Sequence, residues 1–466
     1  MLNKSDFMIR ERAFYKTFFS MAAVLILQNV LTFSVNLADN VMLGGYSETA
    51  LSGAAAVNQI QFVYQSLMTA TAEGVVILGS QYFGKKQTAP IKTVSAHALR
   101  LGLLICVLLF AAVTLFPRPL VSLFTESDAI VEQGLRYLHA VRWTYPFFAV
   151  TQVLLGVLRS VGAVHIAPVL SGSTLVVNCA INYTLIYGRF GAPELGVTGA
   201  AIGTITARAV ELLILILFLW KGEKRLSLRP RDFLRRDKTL FRDYLRVALP
   251  ILLVNGLWGL NTAAQNAIMG HISDHAFAAN SVASPLFTLV KSGAIGAASA
   301  AGFVIGKTVG EGDEKKLRAA ARTLQVLFLG IGLVSGAVLW VVRAPILSLY
   351  DLSPETFTLA DRFLKILALV IVGMAYQMPT NMGIIRGGGN TRFPMILDLV
   401  SIWAIVLPLS ALLAFVFHAS PAWVVFSLNA DQLFKGVPVF LKVNFGSWAR
   451  VLTRDPAPEE VLPETE

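Results

Sequence analysis

Apolar residues fall along this chain in long blocks, interrupted by short polar segments. Twelve such blocks can be read, at 14–43, 53–80, 91–116, 134–158, 165–188, 195–220, 244–270, 277–306, 318–343, 361–385, 393–417 and 421–441. Each is long enough to predict a helix that crosses a lipid bilayer, which takes about 20 residues at a helical rise of 1.5 Å. Of 466 residues, 55% are hydrophobic and 14% charged, where a soluble protein would carry about 25% charge. The fold class expected is therefore an all-α polytopic membrane protein with twelve transmembrane helices.

The polar segments add orientation. Residues 221–243, KGEKRLSLRPRDFLRRDKTLFRD, hold nine Lys/Arg and four Asp/Glu and divide the chain in two. They read as a solvated linker. Lys85, Lys86, Lys92, Arg159, Lys307, Lys315, Lys316, Arg386 and Arg392 follow even-numbered blocks, whereas loops after odd-numbered blocks are poor in Lys/Arg. Basic loops stay on the cytoplasmic side, so both termini are expected there. This placement assigns the net charge of +11 to membrane orientation and argues against nucleic-acid binding. The N-terminal stretch shows no signal-cleavage pattern, and its block reads as a retained span. Cys106 and Cys179 lie in separate apolar blocks and read as packing residues without a disulfide.

The sequence also repeats. Gly44 and Gly270 stand 226 positions apart, as do Gly84 and Gly310, Phe124 and Tyr350, Arg136 and Arg362, and Pro168 and Pro394. LRSVG at 158–162 resembles IRGGG at 385–389 with a one-residue shift. Two halves of six spans enter the membrane in the same sense. That predicts two six-helix bundles related by a pseudo-two-fold axis along the membrane normal, with a cavity between them. The expected organisation is an N-terminal bundle over 1–220, a basic cytoplasmic linker over 221–243, a C-terminal bundle over 244–445 and a polar cytoplasmic tail over 446–466.

Polar residues inside the blocks are the candidates for chemistry. Asp39 is the only charged residue between Lys16 and the end of the first block. Gln28, Thr32, Asn36 and Asp39 step by 4, 4 and 3 and share a helix face. Such a stripe serves either as hydrogen-bond glue between helices or as the lining of a path for a proton or Na⁺. Asp39 fits glue poorly, because a carboxylate in a span costs roughly 2.5–3.5 kcal/mol on insertion scales. A second stripe, Ser171, Thr174, Asn178 and Asn182, runs along the fifth block, and Thr204 lies in the sixth. Gln28, Thr32, Glu73, Gln265 and Lys291 are candidates to line a central substrate cavity, although Glu73 and Lys291 read more readily as charges snorkelling or paired locally. Arg208 and Glu211, three apart, are expected to pair.

Other motifs fail on context. AGFVIGKT at 301–308 has Ala301 where a phosphate-binding loop needs Gly, and it lies in an apolar block. His271 and His275 in HISDH lack the Glu of a zinc-protease helix. Neither a metal nor a cofactor is expected beyond the transported ion.

NLADNVMLGG in the first span, GVTGAAIGT opening the sixth and IRGGGNTRFP between the tenth and eleventh, set in two six-span halves, resemble the multidrug and toxic compound extrusion family over nearly the whole chain. That resemblance implies an antiporter in a prokaryotic inner membrane that exports organic, often cationic, compounds in exchange for H⁺ or Na⁺, acting as a monomer. It implies a cation-coupling site in which Asp39, Asn178 and Thr204 occupy family positions, with Asn36 beside them. Asn182 stands where a second Asp is common. One carboxylate with amide and hydroxyl oxygens is compatible with Na⁺ at Asp39, Asn178, Asn182 and Thr204, or with a single protonatable Asp39. Val24 stands where the family often has a proline, and spans 7 and 10 lack the acids some members carry there, so no second-half cation site is expected. The alternative function is a flippase for a lipid-linked precursor, which favours a basic cavity. A membrane-embedded enzyme needs converging acid, base or metal groups, and a passive channel has no use for duplicated halves with an acid in only one.

Overall fold

The computed structural model describes residues 8–454 except 126, 271, 273 and 349–352, with the backbone alone at 263, 266, 267, 270, 274 and 277. His271, Tyr350 and the tail beyond 454 thus lie outside the described residues. All described secondary structure is helical, and each of the twelve apolar blocks forms a helical span.

Spans 1 to 3 are single helices, Arg12–Tyr46, Glu48–Gly84 and Thr88–Leu115. Span 4 is a pair, Asp128–Val141 and Thr144–Ser160, bent by 56°. Pro146 lacks the N–H that would bond the Arg142 carbonyl, which instead accepts from Tyr145 at 3.1 Å. Spans 5 to 9 are Ile166–Ile186, Val197–Lys221, Lys238–Gly270, Asp274–Glu311 and Glu314–Leu347. Span 10 runs over Pro354–Met378 and then widens to a π-helical turn over Pro379–Arg386, beginning at a proline. Span 11 starts with Arg392–Leu399, and span 12 is built from Pro421–Leu428, Asp431–Phe434 and Gly436–Phe445.

The outward faces carry exposed Leu104, Val107 and Leu108 on span 3 and Val326, Leu329 and Leu333 on span 9. An apolar outer face suits contact with lipid, where the helix must satisfy its own backbone hydrogen bonds.

The pseudo-two-fold relation is visible in the packing between halves. Span 2 packs on span 7, and its repeat equivalent, span 8, packs on span 1; spans 2 and 8 also meet each other. Gly84 lies against the Lys307 carbonyl, and Gly310 against the Gln81 carbonyl. These contacts are repeat equivalents, since 81 and 307 share the 226 offset of the two glycines. Ser80 likewise faces its equivalent, Gly306. A Cβ at either Gly84 or Gly310 would collide with backbone, so only glycine allows the helices to approach this closely.

The segment 221–243 is mostly exposed, as a solvated linker would be, but a few of its residues anchor it to the helices. The Glu223 carboxylate accepts from the backbone N–H groups of Arg225 (2.6 Å), Leu226 (3.0 Å) and Ser227 (2.9 Å). Lys92 pairs with buried Asp232 at 3.2 Å, and Arg100 donates to the Phe233 carbonyl at 3.0 Å. Residues 448–454 cross the end where Gly84 and Gly310 meet. Gln81 donates to the Arg450 carbonyl (3.1 Å) and accepts from the Leu452 N–H (2.8 Å), while Arg454 pairs with Asp243 at 2.7 Å.

Candidate functional site

Three spans of the first half build a buried polar network. The Asn182 amide donates to Asp39 Oδ1 (2.5 Å) and to Asn178 Oδ1 (3.2 Å), and the Asn178 amide donates to Thr204 Oγ1 (3.4 Å). Asn178 and Asn182 are fully buried. They lie one turn apart on span 5, so a single helix face presents both amides to Asp39 on span 1 and Thr204 on span 6. Among the described residues Asp39 makes no ion pair. The Asn182 carbonyl oxygen has no hydrogen-bond partner and packs against Gly203, where a Cβ would displace it.

The stripe on span 1 divides. Asp39 enters this network, and Thr32 meets Ser171 at 3.5 Å. Asn36 is exposed and makes none of the network's bonds. Three residues turn a helix by 300°, so Asn36 points about 60° away from Asp39; buried Val35 lies nearer that face. Gln28 and Thr32 do not line the central cavity, because span 1 lies against span 5 and, through Ala22 and Ile26, against Gly296 of span 8. The sequence reading missed Tyr137, whose buried phenol lies against Thr204 and Gln61 with Asp39 close by. Arg208 pairs with Glu211 at 2.7 Å as expected, with its guanidinium 4.9 Å from the Phe148 ring centre.

The cavity between the halves has a volume of about 760 Å³. Span 2 lines it from Phe62 to Ile77 and span 8 from Asn280 to Gly302, so it ends just before the two helices close on each other at Ser80–Gly84 and Gly306–Gly310. Glu73, Gln265 and Lys291 all lie on its wall. The local or snorkelling reading of the two charges is corrected. Glu73 reaches across to the second half and accepts from Arg386 at 2.5 Å. Lys291 stays inside with its ammonium 4.9 Å from the Trp258 ring centre. The two do not pair with each other. Gln265 donates to Asn261 at 3.3 Å.

Two groups of charges were not legible as cavity residues. Arg159 and Arg386 read as loop cations, yet each ends a helix and lines the cavity floor. The signal was the LRSVG/IRGGG repeat. In the second half Lys435, 3% exposed, pairs with Asp398 (2.9 Å) and Asp431 (2.8 Å). The second half therefore holds two buried acids, from spans 11 and 12 rather than 7 and 10. Asp398, Lys435 and Lys291 border one recess of the cavity. His275, the described member of HISDH, faces Glu355 (3.2 Å) and Thr356 (3.0 Å). AGFVIGKT lies within one continuous helix, without the strand and turn a phosphate loop needs.

Two six-helix halves around a central cavity closed at one end, with a partly buried carboxylate lacking an ion-pair partner inside one half, define a membrane transporter rather than an enzyme. The model of the MatE family matches residues 25–184 and 250–412, one stretch in each half, and the chain belongs to that family. It is 26% identical over 436 residues, 92% of each chain, to the probable multidrug resistance protein NorM of Thermotoga maritima. It is 26% identical over 410 residues, 86% of this chain and 84% of the other, to the multidrug resistance protein PmpM of Pseudomonas aeruginosa. Solved structures share the fold. A MATE protein in complex with MaL6 superposes with a TM-score of 0.84 at 19% identity over 95% of this chain and 98% of that one. An outward-facing multidrug resistance MATE transporter gives 0.84 at 19% identity over 94% and 97%.

Proposed function

We propose that this protein is a multidrug efflux antiporter of a prokaryotic inner membrane, driven by cation entry through Asp39, and that the driving cation is the proton. The observation that carries the coupling is the setting of Asp39. It is a carboxylate held by an amide, with no counter-ion beside it, and an ionised carboxylate there is costly unless neutralised. A proton does so without rearrangement. Na⁺ requires several oxygen ligands, by analogy with other hard cations. Both N–H groups of Asn182 are already turned toward Asp39 and Asn178, and its carbonyl oxygen faces Gly203. The names of the relatives support export of varied small organic molecules.

The end where Gly84 meets Gly310 carries Lys85, Lys86, Lys92, Lys307, Arg392 and the docked segments 221–243 and 448–454. Taken with the basic loops, that end is cytoplasmic and both termini lie inside. The conformation is then open away from the cytoplasm. Protonation of Asp39 alters the span 1–5–6 packing, which biases the two halves toward one of their arrangements around the spans 2–8 contact.

The test uses protein reconstituted in vesicles, with an imposed pH gradient or an imposed Na⁺ gradient and a panel of fluorescent dyes of both charges. Wild type should move dye under the pH gradient, and Asp39→Asn should not. Equal transport by the two proteins under both gradients would remove Asp39 from the mechanism. Transport under the Na⁺ gradient alone would remove the proton.

A further inference from the structure

The charges of the cavity divide into two sets. In the second half Lys291 and Lys435 stand with Asp398 and Asp431, and the set is balanced. At the floor Arg159 and Arg386 share one carboxylate, Glu73. The imbalance has a structural origin in the repeat. The two arginines are equivalents from the two halves, one at the end of span 4 and one at the end of the π-turn of span 10. Glu73 has Ser299 as its equivalent 226 positions on, also on the cavity wall. Duplication thus yields two guanidinium groups and a single acid close to the pseudo-two-fold axis.

Glu73 is committed to Arg386, 8% exposed, at 2.5 Å. Arg159 feels the Glu73 charge, but among the described residues its guanidinium makes no hydrogen bond and no ion pair. A guanidinium has five donors and no means of becoming neutral in a protein, so one that lines the cavity without a protein acceptor leaves its donors to a ligand or to solvent. Above the floor the wall is apolar and adaptable, with Phe62, Trp258, Phe287, Met374, Met378 and Met382. A cavity of about 760 Å³ matches a drug-sized molecule.

Resting on the transporter reading above, we propose that the floor of the cavity is an oxyanion site. Arg159 and Arg386 hold the carboxylate, sulfonate or phosphate of an amphipathic organic anion whose rings or chains lie against the aromatic and methionine wall. Glu73 is the internal competitor that occupies Arg386 while the cavity is empty. One monoanion balances the floor, and an organic cation meets its excess positive charge.

Isothermal titration of the full-length protein in detergent tests this, with naphthalene-2-sulfonate as the anion and tetraphenylphosphonium as an amphipathic cation of similar character. Wild type should bind the sulfonate more tightly than the phosphonium. Arg159→Gln should weaken the sulfonate about tenfold or more, the scale of one lost charge-assisted contact. Glu73→Gln should tighten it and should increase the thermal stabilisation that it confers; a gain of affinity is not a symptom of misfolding. Lys291→Gln should change it less than about threefold, since that charge lies in the balanced set. Dihexanoylphosphatidic acid in place of the sulfonate distinguishes a lipid phosphate from a soluble anion as the preferred source. Phosphonium binding tighter than sulfonate in wild type, or sulfonate affinity indifferent to both Arg159→Gln and Glu73→Gln, would overturn the proposal. Binding is read without transport, so dye efflux with no sulfonate binding defeats the anion site alone, and loss of all gradient-driven efflux defeats the antiport reading alone.

Discussion

The two halves of this transporter share a scaffold, and each has an acid group within its spans that is held differently from the other's. In the first half Asp39 is bonded to an amide and has no cation paired with it. In the second, Asp398 and Asp431 are both clamped on Lys435, at 2.9 and 2.8 Å. A carboxylate in a span without a counter-ion leaves its charge to be offset by a cation from outside, whereas one held by an ammonium already has its charge offset within the fold. The contrast separates the acid proposed to couple transport from acids that hold helices together, which distance from a membrane face alone would not do.

The largest effect should come from Asp39→Asn. Gradient-driven efflux should fall to the background of empty vesicles while the unfolding midpoint in detergent stays close to wild type, because the amide preserves the shape and removes a buried charge. A fall in stability as large as the loss of transport would make Asp39 a scaffold residue and erase the distinction. The converse substitution is Lys435→Met, which strands Asp398 and Asp431. It should cost about 3–5 kcal/mol in unfolding free energy, and adding Asp398→Asn and Asp431→Asn should recover most of it. Failure of the triple variant to recover would mean that the lysine does more than balance charge.

A smaller effect tests where the halves are alike. Gly84→Ala and Gly310→Ala place a Cβ against the equivalent carbonyls of Lys307 and Gln81. Each should destabilise the closed end by about 1–3 kcal/mol, the range for overpacking, read as faster hydrogen exchange over residues 78–86 and 304–312. The two should match; a clear inequality would show that the axis does not pass through this contact.

The smallest effect lies outside the membrane. Burial of Asp232 would by itself push its carboxyl up, but the Arg229 N–H, Lys92 and Arg235 together hold it below the ordinary carboxylate range. A lowered folded-state value means that its stabilisation is fully present above the ordinary aspartate range and is lost as pH falls through the lowered value. Acid unfolding of the docked 221–243 segment should therefore flatten with pH in Asp232→Asn, as followed by proteolysis of that segment. An unchanged pH profile would remove Asp232 from its anchorage.

Asp39, Asn178, Asn182 and Thr204 were legible because each is a polar residue in an apolar span and because helical spacing fixes which ones share a face. Asn36 shows the limit of that reasoning: a step of three reads as neighbouring on paper, but it turns the side chain about 60° from Asp39, and Asn36 makes none of the network's bonds. Arg159 and Arg386 were hidden by the charge rule that orients the loops, since that rule counts basic residues near span ends without asking whether a helix end turns one of them inward. Asp398 was hidden because it lies 37 residues from Lys435 and only the packing of span 11 on span 12 brings the two together, whereas Asp431, four residues before Lys435 on span 12, is a pairing that helical spacing alone allows.

The sequence by itself determined the number of spans, their duplication with a 226-residue offset and the presence of a carboxylate, Asp39, in the first span. These follow from local quantities: the length of an apolar run, the recurrence of small residues, and the cost of a charge in hydrocarbon. The tertiary structure decided which charges meet. Glu73 and Arg386 are 313 residues apart, and the floor they form with Arg159 exists only where two halves close around an axis. Electrostatic partnership depends on distances of a few ångströms between helices, and no periodicity along one helix encodes them.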